Sequence, residues 1–199
     1  VDEAESQIRR GLELSTMVGN RRFVGIGLGY LSLVTADLGD FARSEELCLQ
    51  SLAIHQEMTT QLWVSIESAN LAALALVRGR TDEALTDLRH VLELARQSGD
   101  SGNECWALAY IGGVLADQGD LEAATDALEQ SRRSLVPGDA PCRTVLELRA
   151  AHLTVAVATA RGERQDGVTK ARAQLAAASS VRSTDVRMAA WLLERSLAM

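Results

Sequence analysis

Proline is scarce in the sequence, with two in 199 residues, and aromatic side chains make up 4%. Proline breaks helices, so its rarity leaves long stretches free to stay helical. Strands draw on β-branched and aromatic residues, and runs of these are few. Lysine occurs once, as Lys170, so the basic side chains are nearly all arginines, scattered along the chain. The formal net charge is −7. With no basic cluster, this argues against broad nucleic-acid binding, which needs Lys and Arg to displace counterions from phosphates. It argues equally against a basic membrane-binding face. No segment holds the about 18 uninterrupted apolar residues of a membrane span. Arg21-Arg22 precede an apolar run from Phe23 to Ala36, which looks like a targeting signal. A helix-like segment lies upstream and the same slot recurs later, so we read it as structure. The first residue is Val1 rather than Met, and the chain is expected to be a piece of a longer protein.

Cysteines number three, Cys48, Cys105 and Cys142. The count is odd and no two are close in sequence. That speaks against a disulfide framework or a zinc ribbon, and for three small core residues in a reducing, cytoplasmic setting. His55, His90 and His152 are isolated, with no metal-ligand pattern around them. His90 and Glu93 are three apart, but Glu93 shares a repeating column with Glu13, which marks a solvated surface. No phosphate loop or dinucleotide fingerprint is present. Gly25, Gly27 and Gly29 alternate inside a helical slot and read as small faces for close packing, as do Gly112-Gly113. Nothing resembles a nucleophile with its base. The expectation is a non-enzyme with no cofactor and no metal.

What is present is a chain 47% apolar and 24% charged, dominated by good helix formers. It repeats. Gly39-Asp40, Gly79-Arg80 and Gly119-Asp120 stand 40 residues apart, and Gly19-Asn20, Thr59-Thr60 and Gly99-Asp100 form a second series half a period away. Glycine just past a helix adopts the left-handed conformation without a Cβ clash. The Asp, Asn or Thr that follows can cap the next helix. Two such marks per period mean two antiparallel helices per repeat. Asp2, Glu3, Ala4, Leu12, Glu13, Leu14 and Gly19 all recur 80 residues later. Five residues past each central glycine lies Ser44, Ala84 or Ala124, small enough for a close helix pair. Nine past lie Cys48, Leu88 and Leu128, on the same helical face.

These columns resemble a tetratricopeptide repeat array. Ile111-Gly112, Gly119-Asp120, Leu121 and Ala124 match that pattern best; Leu38-Gly39-Asp40, Phe41 and Ser44 match its turn and second helix; Leu71-Ala72, Gly79 and Ala84 form the middle unit. The family's glycine in the first helix is Ser32 or Ala72 in two units, and the period is 40 rather than the usual 34. Such longer units resemble those of large bacterial signalling ATPases and transcriptional regulators. The resemblance implies an all-α, right-handed superhelical solenoid of antiparallel helix pairs, about ten helices in a single domain over 1–199. Residues 1–20 would be the second helix of a truncated unit. Residues 21–60, 61–100 and 101–136 would be repeats, 141–180 a degenerate repeat, and 184–199 a capping helix. In the last third, Pro137-Gly138-Asp139-Ala140-Pro141 breaks a helix and starts another. Arg161-Gly162-Glu163 is a turn before a helix over about 165–179. Val186, Ala190, Leu193 and Leu197 make the stripe of the capping helix.

The resemblance further implies that the first helix of each pair lines a concave face that binds a peptide or protein. The matching positions are Ile26, Ile66 and Trp106; Tyr30, Asn70 and Tyr110; Leu33, Ala73 and Gly113; and Asp37, Val77 and Asp117. Trp106 and Tyr30 either line this groove or fill core. The basic set by which co-chaperone members clamp a terminal carboxylate is missing. Glu67, Glu104, Asp37 and Asp117 suggest an acidic groove that favours a basic or neutral partner. The expected function is a protein-interaction or sensor module of a larger bacterial regulator. The alternatives are a self-associating scaffold, or a small-molecule effector pocket built from Trp63, Trp106 and Tyr110. Neither nucleic acid nor membrane is an expected partner.

Overall fold

The computed structural model describes residues 2–177. Among them every element is an α-helix: α1 (Asp2–Met17), α2 (Arg21–Asp37), α3 (Phe41–Glu57), α4 (Gln61–Val77), α5 (Thr81–Ser98), α6 (Ser101–Asp117), α7 (Leu121–Ser134), α8 (Ala140–Ala160) and α9 (Arg164–Ala177). The expected capping helix at 184–199 lies outside the described residues. The helices fall into two compact units, one up to Asp87 and one from Leu88, with the boundary inside α5.

The reversals are built as the glycines dictate. Gly19, Gly39, Gly79, Gly99, Gly119, Gly138 and Gly162 all have φ between 68° and 91°. At Gly39 the amide donates to Ala36 O at 2.9 Å, and Asp40 N reaches back to Thr35 O at 3.2 Å. This pair of bonds satisfies carbonyls the helix end would leave open. The same six-to-one bond recurs at Asn20, Thr60, Arg80, Asp100, Asp120 and Glu163. Asn20, Asp40, Asp100, Asp120 and Asp139 then cap the next helix through their side chains. Thr60 does not, contrary to expectation. Its hydroxyl instead turns back to His55 O at 3.2 Å and His55 Nδ1 at 3.0 Å. Arg80, lacking a capping acceptor, bridges Glu45 and Glu83.

In the first unit α2 packs on α1 and α3, and α3 on α4. Leu28, Leu31 and Leu47 form one core cluster of this unit, flanked by Ile8, Leu12, Val24 and Ile54. The small column holds: Ser44 is fully buried. It also explains why this repeat lacks the glycine of the first helix. Ser44 Oγ donates to Ser32 O at 2.8 Å and Ser32 Oγ donates to Ser44 O at 2.9 Å. Two hydroxyls thus satisfy each other's backbone across a close helix pair. In the second unit the same contact uses glycine: a Cβ on Gly112 would lie 2.8 Å from Leu128 Cγ and 3.2 Å from Ala124 O.

The second unit packs α6 on α7 and α8, and α8 on α7 and α9. One expectation fails here. Cys105 and Cys142 form a disulfide across α6 and α8, with Cα atoms 6.6 Å apart, within the range such bonds span. The residues are 37 apart in sequence, but both lie in the early turns of neighbouring helices. Only Cys48 is a free, buried thiol. The reducing setting rested on unpaired cysteines and loses that support.

Thr59 is the one non-glycine residue with positive φ among those described, at 53°. A β-branched side chain is strained there. Thr59→Gly is expected to raise stability by ~1 kcal/mol, and Gly39→Ala to lower it by a similar amount, read from urea midpoints. Opening the disulfide with a thiol reductant is expected to cost ~3–4 kcal/mol for a loop of this length, visible as a lower thermal midpoint, with a drop of the same size on reduction of Cys48→Ser.

Candidate functional site

On α2, Ile26, Tyr30 and Asp37 follow at helical spacing; on α4, Ile66 and Asn70 do the same. Ile26, Asp37, Ile66 and Asn70 are half-buried, whereas Tyr30 is 52% exposed. Tyr30 stands edge-on to Trp63, ring centroids 6.4 Å apart. Trp63 in turn stacks on His55 at 5.4 Å. Burial, with Arg22 nearby, pushes the His55 pKa down, favouring a neutral ring. Tyr30 is therefore an exposed aromatic held from behind by a rigid ring stack.

Glu67 departs from the groove role. It is 1% exposed, turned into the packing of α2, α3 and α4. Its Oε1 occupies the space a Cβ on Gly29 would need, so that glycine admits the carboxyl. Cys48 Sγ donates to Oε2 at 3.1 Å, and Asn70 Nδ2 donates to the same oxygen at 3.4 Å. Ser51 Oγ lies 2.8 Å from Oε1 and 2.9 Å from Gly25 O. A hydroxyl has one proton. When Ser51 gives it to the Gly25 carbonyl, the Glu67 carboxyl must be the donor to Ser51. Burial pushes the Glu67 pKa up against these hydrogen bonds, which agrees with a protonated acid. The neighbouring Cys48 is held as a thiol, by burial first and by Glu67 second.

In the second unit, Trp106, Tyr110, Gly113 and Asp117 descend one face of α6. Trp106 is 9% exposed and Tyr110 is fully buried, their rings 4.1 Å apart. Arg149 of α8 lays its guanidinium over Tyr110, 4.5 Å from the ring centroid. A Cβ on Gly113 would lie 2.7 Å from Arg149 Cδ, so the glycine makes room for the arginine. Arg149 is 3% exposed, and its Nε and Nη2 have no hydrogen-bond partner among the described residues. Burial pulls its pKa down, with Tyr110 and Asp117 opposing. One turn on, His152 Nε2 meets Asp117 Oδ1 at 2.9 Å. Asp117 keeps 47% of its side chain exposed.

Of the residues expected on the face, the structure brings Tyr30, Ile26 and Asp37 together on α2, Ile66 and Asn70 on α4, and Trp106, Tyr110 and Asp117 on α6. Glu104 is engaged by Arg96 at 3.0 Å. The sequence left His152 isolated and Arg149 without a role, because Asp117 and Tyr110, which they meet, lie on another helix. One signal was available: Arg149 is the only cation in the apolar stretch from Val145 to Val157. Among the described residues no cluster of His, Cys, Asp and Glu could hold a metal, and no helix is long and apolar enough to cross a membrane.

Residues 61–135 match the family model of the tetratricopeptide repeat. No curated protein matches the chain.

The Glu67 pKa lies above its unfolded value of about 4.3, so the folded state holds the proton more tightly. Its contribution to stability is then fully present below about pH 4 and is lost as pH rises through the folded pKa. Glu67→Gln keeps the shape without the charge. It is expected to lose less stability than the parent between about pH 4 and pH 8, measured as the urea midpoint against pH; parallel profiles would refute a protonated Glu67.

Proposed function

From a chain that carries tetratricopeptide repeats, we propose a module that holds a peptide or protein segment on the exposed face of its first helices. Repeats of this family generally mediate protein–protein interaction. The observation that carries the reading is Tyr30, half-exposed and braced by Trp63, with half-buried Ile26 one turn away on α2 and half-buried Ile66 and Asn70 on α4, the helix that carries Trp63. A rigid amphipathic aromatic beside apolar side chains and an amide is the composition of an interaction hot spot. Such a ring loses little conformational entropy on binding, since its stack already fixes it.

Electrostatics refine the partner. Asp37 on α2 and Asp117 on α6 remain partly exposed, while Glu67 is withdrawn into the interior. A net charge of −7 and acidic groups at the helix ends favour a basic or neutral segment. The 40-residue period fits a sensor or partner-holding part of a larger bacterial transcriptional or signalling regulator.

Peptides selected from a random library on the immobilised chain test this. Tyr30→Ala is expected to weaken the selected peptides about tenfold or more, read by calorimetric titration, with the thermal midpoint unchanged. Asp37→Asn is expected to weaken basic peptides selectively. Selected peptides that bind Tyr30→Ala and the parent equally would refute the assignment of this face.

A further inference from the structure

We propose that a cavity walled by α7, α8 and α9 binds a small amphipathic organic anion, a carboxylate carried on a short apolar body. The cavity has a volume of about 410 Å³, within the range of small-molecule sites. Leu128, Leu153, Val157 and Ala158 supply its apolar lining. Arg132 of α7, Arg161 at the end of α8 and Lys170 of α9 all line it too. All three are exposed, and none forms an ion pair with another described residue. Glu129 and Glu163 share the lining, but Glu129 is engaged by Arg133 at 3.3 Å. Three cations from three elements, without an ion-pair partner among the described residues, therefore share an apolar floor with Glu163. In a chain of net charge −7 this is a local reversal of sign.

Helix dipoles explain part of this, since cations favour helix C-termini. Arg132 lies in the last turn of α7 and Arg161 caps α8. Lys170 sits in the middle of α9, where the dipole gives no reason for it. What places Lys170 on this wall is Gly167, one turn earlier. A Cβ there would collide with Ala158 Cβ, so the glycine lets α9 lie directly on α8. Lys170, the only lysine in the sequence, thereby lines the same cavity as Arg161. An alkyl or aryl body would displace water from the lining. Its carboxylate would meet the cations at the rim, where a charge-assisted hydrogen bond needs no deep desolvation.

The test uses the full chain and three probes with one apolar body: octanoate, octanol and octylammonium, titrated calorimetrically at low ionic strength. Octanoate is expected to bind about tenfold or more tighter than either of the others, and to weaken as salt is added. Arg161→Gln with Lys170→Gln should abolish that preference while leaving octanol binding and the thermal midpoint unchanged. Val157→Thr, nearly equal in volume, should weaken all three probes alike. Equal affinity for the three probes, octanoate binding that survives the double substitution, or no binding of octanoate would each overturn the proposal.

Discussion

Among the described residues, every helix reversal except the α7–α8 connection depends on one residue that takes a positive φ at the end of a helix. The left-handed residue turns the chain amide back onto the carbonyls three and five positions earlier, so the helix closes and the next one starts antiparallel. Within each unit the helices joined by such a turn then pack on each other, α1 on α2, α2 on α3 and α3 on α4 in the first, α6 on α7 and α8 on α9 in the second. The small column then falls at the point of closest approach, where Ser44, Ala84 and Ala124 are all fully buried. Thr59 shows how strongly the position is imposed: a β-branched residue is forced into the left-handed region by the helices on either side.

Close approach of the helices decides where polar groups can go. The α2–α3 pair is held by reciprocal serine hydroxyls, the α6–α7 pair by a glycine under Leu128. Both solve the same problem, which is to bring two backbones together without an unsatisfied buried group. Gly29 and Gly113 carry the logic further. Each leaves a gap that a long side chain from a neighbouring helix fills, Glu67 in one unit and Arg149 in the other. The two buried ionisable groups differ in consequence. Glu67 accepts from Cys48 and Asn70 and, once protonated, donates to Ser51, so it can become neutral, whereas Arg149 relies on the face of Tyr110.

The face read for binding is accordingly uneven. Tyr30 stays exposed because its ring is propped on Trp63, while Tyr110, in the same repeat column, is covered by Arg149. A column shared by sequence thus holds an open aromatic in one unit and a buried one in the other. The difference lies with the residue that arrives from the next helix, and no repeat pattern contains that information.

The sequence by itself determined the helical class, the turn positions and the buried columns at Ser44, Cys48, Ala84, Leu88, Ala124 and Leu128. Each of these follows from local chemistry: glycine at positive φ, and apolar spacing along one helix. Only the tertiary structure decided that Glu67 points inward, that Asp117 meets His152, that Cys105 meets Cys142, and that Arg132, Arg161 and Lys170 share one cavity. These are contacts between helices far apart in the chain. They depend on how closely the helices approach and at what rotation, and small residues such as Gly29, Gly113 and Gly167 set that distance through the side chain they lack.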